Sequence, residues 1–118
     1  MSKNSVKGVT IQGVSCAVPR KQLDNQSFLE RFDEKTIADV AKLTGVLTRH
    51  IAEPGQTAGD LCFAAAERLL ADLQWAPDSV DALIFVSQTP DQRMPATACI
   101  LHGRLGLSTG CQAFDVGL

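Results

Sequence analysis

The chain has 118 residues, 45% hydrophobic and 20% charged, with a formal net charge of −2. This is the balance of a soluble globular domain, or of part of one, and it excludes a disordered or fibrous chain. Acidic and basic residues are interleaved and leave no basic stripe for nucleic acid. The longest apolar run, residues 82–86, is far too short to cross a bilayer, and Met1-Ser2-Lys3-Asn4 opens no signal peptide. A cytoplasmic protein is expected, with neither nucleic acid nor membrane as partner.

Residues 9–12, Val-Thr-Ile-Gln, alternate apolar and polar between Gly8 and Gly13, a pattern that predicts a first strand. The two glycines lack a following lysine and form no G-x-G-x-x-G, so no phosphate loop is indicated; close packing or a bulge explains them. From Asn25 to about Ala41 the apolar positions Phe28, Leu29, Phe32, Ile37 and Val40 are interrupted near Asp33, which predicts two short helical pieces. Gly45 supplies a left-handed cap after Thr44, and residues 46–51 are extended or irregular. His50, within them, has no catalytic partner at local spacing and reads as a packing or surface residue.

The clearest helix follows Thr57, where Asp60 completes a capping pattern and Ala58, Leu61, Cys62, Ala65, Leu69 and Leu73 recur at helical spacing. Phe63, Ala66 and Leu70 widen that apolar face, so cover from more than one side is expected. After the breaker Trp75-Ala76-Pro77, residues 80–86 are almost uninterrupted aliphatics, the pattern of a central parallel strand buried on both faces. A polar loop, Ser87 to Arg93, leaves its carboxyl end, where open α/β sheets place ligands. Pro95 suits the first position of a helix that Gly106 ends, with His102 as a core or interface residue. Residues 111–116 form the last strand. The order predicts a parallel or mixed sheet with right-handed crossovers.

Cys16, Cys62, Cys99 and Cys111 form no C-x-x-C pair and have no histidine at ligand spacing. They read as reduced, packed thiols, with neither a disulfide framework nor a metal site.

Taken together, Thr44-Gly45-Val46, Arg49-His50-Ile51, the strand at 82–86, Met94-Pro95-Ala96 with Ala98-Cys99, and Cys111-Gln112-Ala113-Phe114-Asp115-Val116 resemble the N-terminal part of β-ketoacyl-acyl-carrier-protein synthase III, a thiolase-like condensing enzyme. The resemblance runs over essentially the whole chain. It implies an α/β, thiolase-like fold: residues 1–118 as part of the first half of an α-β-α-β-α layered sandwich, with a mixed, mostly parallel sheet, in an enzyme that is usually a homodimer. It further implies decarboxylative Claisen condensation of an acyl thioester with malonyl-acyl-carrier-protein, in fatty-acid or related biosynthesis. Acyl-CoA would be a substrate, acyl carrier protein a partner, and no resident cofactor would be held.

By the same resemblance the catalytic cysteine falls two positions beyond Leu118, and its histidine and asparagine partners lie in the second half. No catalytic residue is therefore expected in this chain; Cys111 precedes the strand and does not match the nucleophile. The relatives' tryptophan and arginine that clamp the adenine of coenzyme A have no counterpart in Glu34 to Leu43, where only Lys35 and Lys42 carry positive charge. That departure points to a specialised acyl donor. Met94 stands where relatives place an acyl-pocket or dimer-wall residue, and wall and plain interface packing both remain open for it.

Two other readings accompany this one. A non-catalytic interaction module would pair with a second polypeptide to complete the sandwich. A Rossmann-like nucleotide binder lacks its glycine fingerprint. In either of the first two readings, surfaces built to be covered by another layer should expose apolar patches and favour self-association.

Overall fold

The computed structural model describes residues 4–117, a mixed α/β chain. It divides into two compact units: Val18–Thr57, and the chain up to Ala17 together with the chain from Ala58 onward.

In the unit Val18–Thr57, strand β1 (Lys21–Asp24) pairs antiparallel with β2 (Thr48–Ile51), Lys21 opposite Ile51 and Asp24 opposite Thr48. A 3₁₀ turn, Asn25–Phe28, and helix α1, Glu34–Thr44, lie between them. The break expected near Asp33 is a helix cap: Asp33 has extended backbone, and its Oδ1 accepts from the Thr36 N–H at 2.9 Å. Gly45, at φ +71°, ends α1 by donating its N–H to the Ala41 carbonyl at 2.8 Å. β1 escaped the sequence pattern because Lys-Gln-Leu-Asp carries a single apolar residue. Its connection to β2 is polar instead: the Asn25 side chain donates to the Val46 carbonyl at 2.8 Å and accepts from Arg49 at 2.8 Å.

The other unit is built on β3 (Ala82–Val86) and β4 (Gln112–Val116), parallel and in register from Ala82 opposite Gln112 to Val86 opposite Val116. Helix α3 (Thr97–Arg104) connects them, and α2 (Ala58–Leu73) precedes β3. Phe85, Ala98 and Leu101 form the buried centre, with Ala58, Phe63, Leu83 and Ala113 packed around it. On α2 and α3, Asp60 and Arg104 form an ion pair at 2.8 Å, and the Arg104 guanidinium lies 4.2 Å from the centre of the Phe63 ring.

Four expectations are corrected. The strands form two two-stranded sheets, one antiparallel and one parallel, rather than one sheet. Residues 9–12 form no strand. Alternation assigns side chains to faces, but a strand also needs a neighbour to complete its hydrogen bonds, and none of the described strands pairs with this segment. The chain rests on α2 instead: a Cβ added to Gly13 would stand 2.9 Å from Leu69 Cδ1 and 3.2 Å from Leu73 Cδ2, so the close-packing reading of that glycine holds.

The third correction concerns β3 and β4, which are covered on one face only. Leu83 and Phe85 turn toward the helices, while Ile84 (54% exposed), Val86 (57%) and Phe114 (43%) lie bare on the opposite face. A continuous apolar run records that both faces avoid polar groups, not that both are covered by this chain's own elements. Fourth, α3 begins at Thr97 after an Ala96 cap, so Pro95 lies outside the helix.

Candidate functional site

The carboxyl ends of two parallel strands, together with the loop leaving them, are the place in an open α/β sheet where backbone groups are free to meet a ligand. Here Ser87 to Ala96 leaves β3 at that end. Its first residue still follows the ladder, Ser87 donating its N–H to the Val116 carbonyl at 3.1 Å. The N-termini of α2 and α3 both converge on this end, and each is met by a carboxylate.

Asp115 lies opposite Phe85 in the register, on the covered side of the sheet. Its Oδ2 accepts from the Thr97 N–H at 2.8 Å and its Oδ1 from the Ala98 N–H at 2.7 Å, which satisfies two of the donors that the start of α3 leaves unpaired. A negative charge at this pole of the helix is favoured by its dipole. Asp91, in the loop, accepts from the Gly59 N–H at the start of α2 at 2.9 Å, and its own N–H donates to Thr97 Oγ1 at 3.3 Å. Thr97 is fully buried. Both carboxylates are thus committed to helix N–H groups, an arrangement that fixes backbone and does not present a free base.

The sequence passed over Asp91 and Thr97. One signal was available for Asp115: an acidic residue inside an otherwise apolar strand calls for a buried partner.

Met94 lies in the same loop, 85% exposed, before a cis bond to Pro95. Cys62, on α2, is exposed as a residue, yet the partial cover around its sulfur pushes the thiol up first and the Asp91 charge second, which disfavours the thiolate. All four cysteines are free; Cys111 is buried, but Cys16, Cys62 and Cys99 are exposed, which corrects the expectation that all four are packed. His102 Nε2 is 2.8 Å from the Ser108 carbonyl oxygen. His50 Nδ1 is 2.6 Å from the Pro19 carbonyl oxygen, and its Nε2 is 3.1 Å from Gln22 Nε2. His102 thus meets a carbonyl six residues on, and His50 one 31 residues back.

The unit Val18–Thr57 holds a separate apolar cleft of about 270 Å³, lined by Phe28, Phe32, Ile37 and Val40 with Asn25, Thr36 and Arg49. The Arg49 guanidinium lies 4.8 Å from the Phe28 ring centre, so the one cation of the cleft is held by an aromatic ring and by Asn25. Lys42 lies in the last turn of α1, outside the cleft lining, where its charge complements the helix dipole; Lys35 also lies on α1 and outside that lining. Among the described residues no cluster of three or more histidine, cysteine or acidic side chains could hold a metal ion, and no helix is long and apolar enough to cross a membrane.

No family model matches the chain. Individual proteins do. It is 35% identical over 106 residues to the β-ketoacyl-[acyl-carrier-protein] synthase III of Neisseria gonorrhoeae, covering 90% of this chain and 33% of that protein. A solved 3-oxoacyl-(acyl-carrier protein) synthase from Burkholderia xenovorans is 51% identical, with a TM-score of 0.82 over 91% of this chain and 32% of that one. The tetronic acid condensing enzyme AbyA1 is 30% identical, with a TM-score of 0.77 over 88% of this chain and 33% of the other. The chain thus spans about a third of the length of the curated relatives it matches. Sequence identity and backbone geometry agree with the resemblance carried by the motifs: along nine-tenths of its length, the chain is similar to part of a β-ketoacyl-acyl-carrier-protein synthase III of thiolase-like fold.

Proposed function

We propose that this chain is the N-terminal share of a condensing acyltransferase of the β-ketoacyl-acyl-carrier-protein synthase III type. It supplies scaffold, loop and contact surface, and the nucleophile is not among its four cysteines. The observation that supports this most is the parallel pair β3–β4, whose second strand uses the Asp of Ala-Phe-Asp-Val to cap α3, in a chain that aligns with such enzymes over nine-tenths of its length. Asp115 is then a structural acceptor that sets the α3 N-terminus against the strand.

In this reading the reaction has two stages. A cysteine thiolate outside the present chain takes an acyl group from coenzyme A: the S–C bond to the enzyme forms, and coenzyme A leaves as its thiol. Malonyl-acyl-carrier-protein then loses carbon dioxide, and its carbanion attacks the thioester carbonyl and expels the enzyme thiolate. Hydrogen-bond donors stabilise the enolate and the oxyanion. No resident cofactor takes part. The enzyme works in the cytoplasm as a homodimer in fatty-acid or related biosynthesis, with Met94 as an acyl-pocket or dimer-wall residue. A specialised acyl donor is consistent with the absence of tryptophan and arginine from Glu34 to Leu43.

The bare sheet face at Ile84, Val86 and Phe114 favours a second reading, an interaction module completed by another polypeptide. Assay of the protein that carries this chain with malonyl-acyl-carrier-protein and a panel of acyl-CoAs separates the two. Release of carbon dioxide and free coenzyme A in equal amounts is expected of the enzyme. Neither product, in a protein that binds a second polypeptide stoichiometrically, would overturn it.

A further inference from the structure

Gly59, the second residue of α2, is buried in the first turn of that helix, although glycine is a poorer helix former than alanine. Its φ is not positive, so the backbone does not require glycine there. Space does. A Cβ on Gly59 would overlap Asp91 Oδ2, and would stand 3.0 Å from Asp91 Cγ and 3.1 Å from Thr97 Cγ2. The missing side chain is therefore the socket into which the Asp91 carboxylate fits, with the Gly59 N–H as its donor at 2.9 Å. From the same residue the Asp91 N–H reaches buried Thr97, and the Thr97 N–H reaches Asp115 on β4. One loop residue thereby ties the middle of the segment 87–96 to α2, α3 and the parallel sheet.

We propose that Asp91 is a positioning residue, seated in a socket made by Gly59, which holds the loop at the carboxyl end of β3 in the single path from which it meets substrate. The substrate part of this statement rests on the condensing-enzyme reading above; the socket itself does not. Gly59 and Asp91 form a couple, since the carboxylate of one occupies the space left by the missing side chain of the other.

A pair of substitutions tests this by non-additivity. Gly59→Ala alone lowers Tm, because the methyl group evicts the carboxylate. In an Asp91→Ala background the same substitution lowers Tm much less, because the methyl group then crowds only Thr97 Cγ2. Amide exchange on the same proteins reads position. Asp91→Ala speeds exchange at Gly59 and across 87–96 by at least an order of magnitude while the β3–β4 ladder stays protected, and Asp91→Asn, which keeps an acceptor oxygen, restores most of the protection. Additive Tm effects, or loop protection unchanged in Asp91→Ala, would overturn the proposal.

In the condensation assay, Asp91→Ala raises the KM for acyl-CoA more than it lowers kcat, and Asp91→Asn recovers it; a kcat loss with unchanged KM would overturn the positioning role. A protein with no condensing activity but with the non-additive Tm effect intact would refute the condensing reading and leave the socket standing.

Discussion

In the unit Val18–Thr57 the carboxylate of Asp33 meets an N–H three residues away, in solvent, whereas in the other unit Asp115 reaches back 18 residues to Thr97 and Asp91 reaches 32 residues back to Gly59. The first unit has no buried residue in its helix; the second encloses Phe85, Ala98 and Leu101. Local capping can form as soon as a turn forms. A cap delivered from a distant strand exists only once the sheet and helices have docked, so it depends on the core and in turn locks it.

The largest effect expected from this contrast belongs to the core. Phe85→Ala removes a side chain that is 4% exposed and should cost about 3–5 kcal/mol. Ile84→Ala, one residue away on the bare face, should cost less than about 1 kcal/mol. Urea unfolding of the two variants checks this, and equal losses would mean that the outer face is covered in solution.

Next comes the distant cap. Asp115→Ala leaves the Thr97 and Ala98 N–H groups without their acceptors, and Thr97 is fully buried, so a loss of about 2 kcal/mol is expected. Asp115→Asn should recover part of it. A change confined to the noise of the melting curve would place the α3 N-terminus in water.

The smallest effect belongs to the local cap. The Thr36 N–H and hydroxyl hold the Asp33 carboxyl below its ordinary value of 3.8. A lowered value means that the folded state favours the ionised form. The stabilisation is therefore complete above the ordinary value and is lost as pH falls from there through the lowered one. Thr36 amide shifts followed between pH 6 and pH 2 report the loss, and Asp33→Asn, which caps without titrating, should flatten that response.

The same contrast explains what could be read without a structure. The two helical pieces around Asp33, the Gly45 cap, the helix after Thr57 and the strand at 82–86 all follow from periodicity or from residues a few positions apart. The strand expected at 9–12 did not form, because pairing needs a partner that no local pattern supplies. β1 went unseen because its one apolar residue gives no alternation to detect. Asp91 is one polar residue among several in the loop Ser87 to Arg93, and nothing in the pattern after Thr57 singles out Gly59. Their meeting across 32 residues is visible only in the fold.

The central proposal is that this chain braces a condensing site whose nucleophile lies elsewhere. The direct measurement is peptide mapping by mass spectrometry of the protein that carries this chain, after incubation with a panel of acyl-CoAs. One stoichiometric acyl thioester is expected, on a peptide outside residues 1–118, with Cys16, Cys62, Cys99 and Cys111 unmodified. A stoichiometric acyl group on any of those four, Cys111 above all, would contradict it.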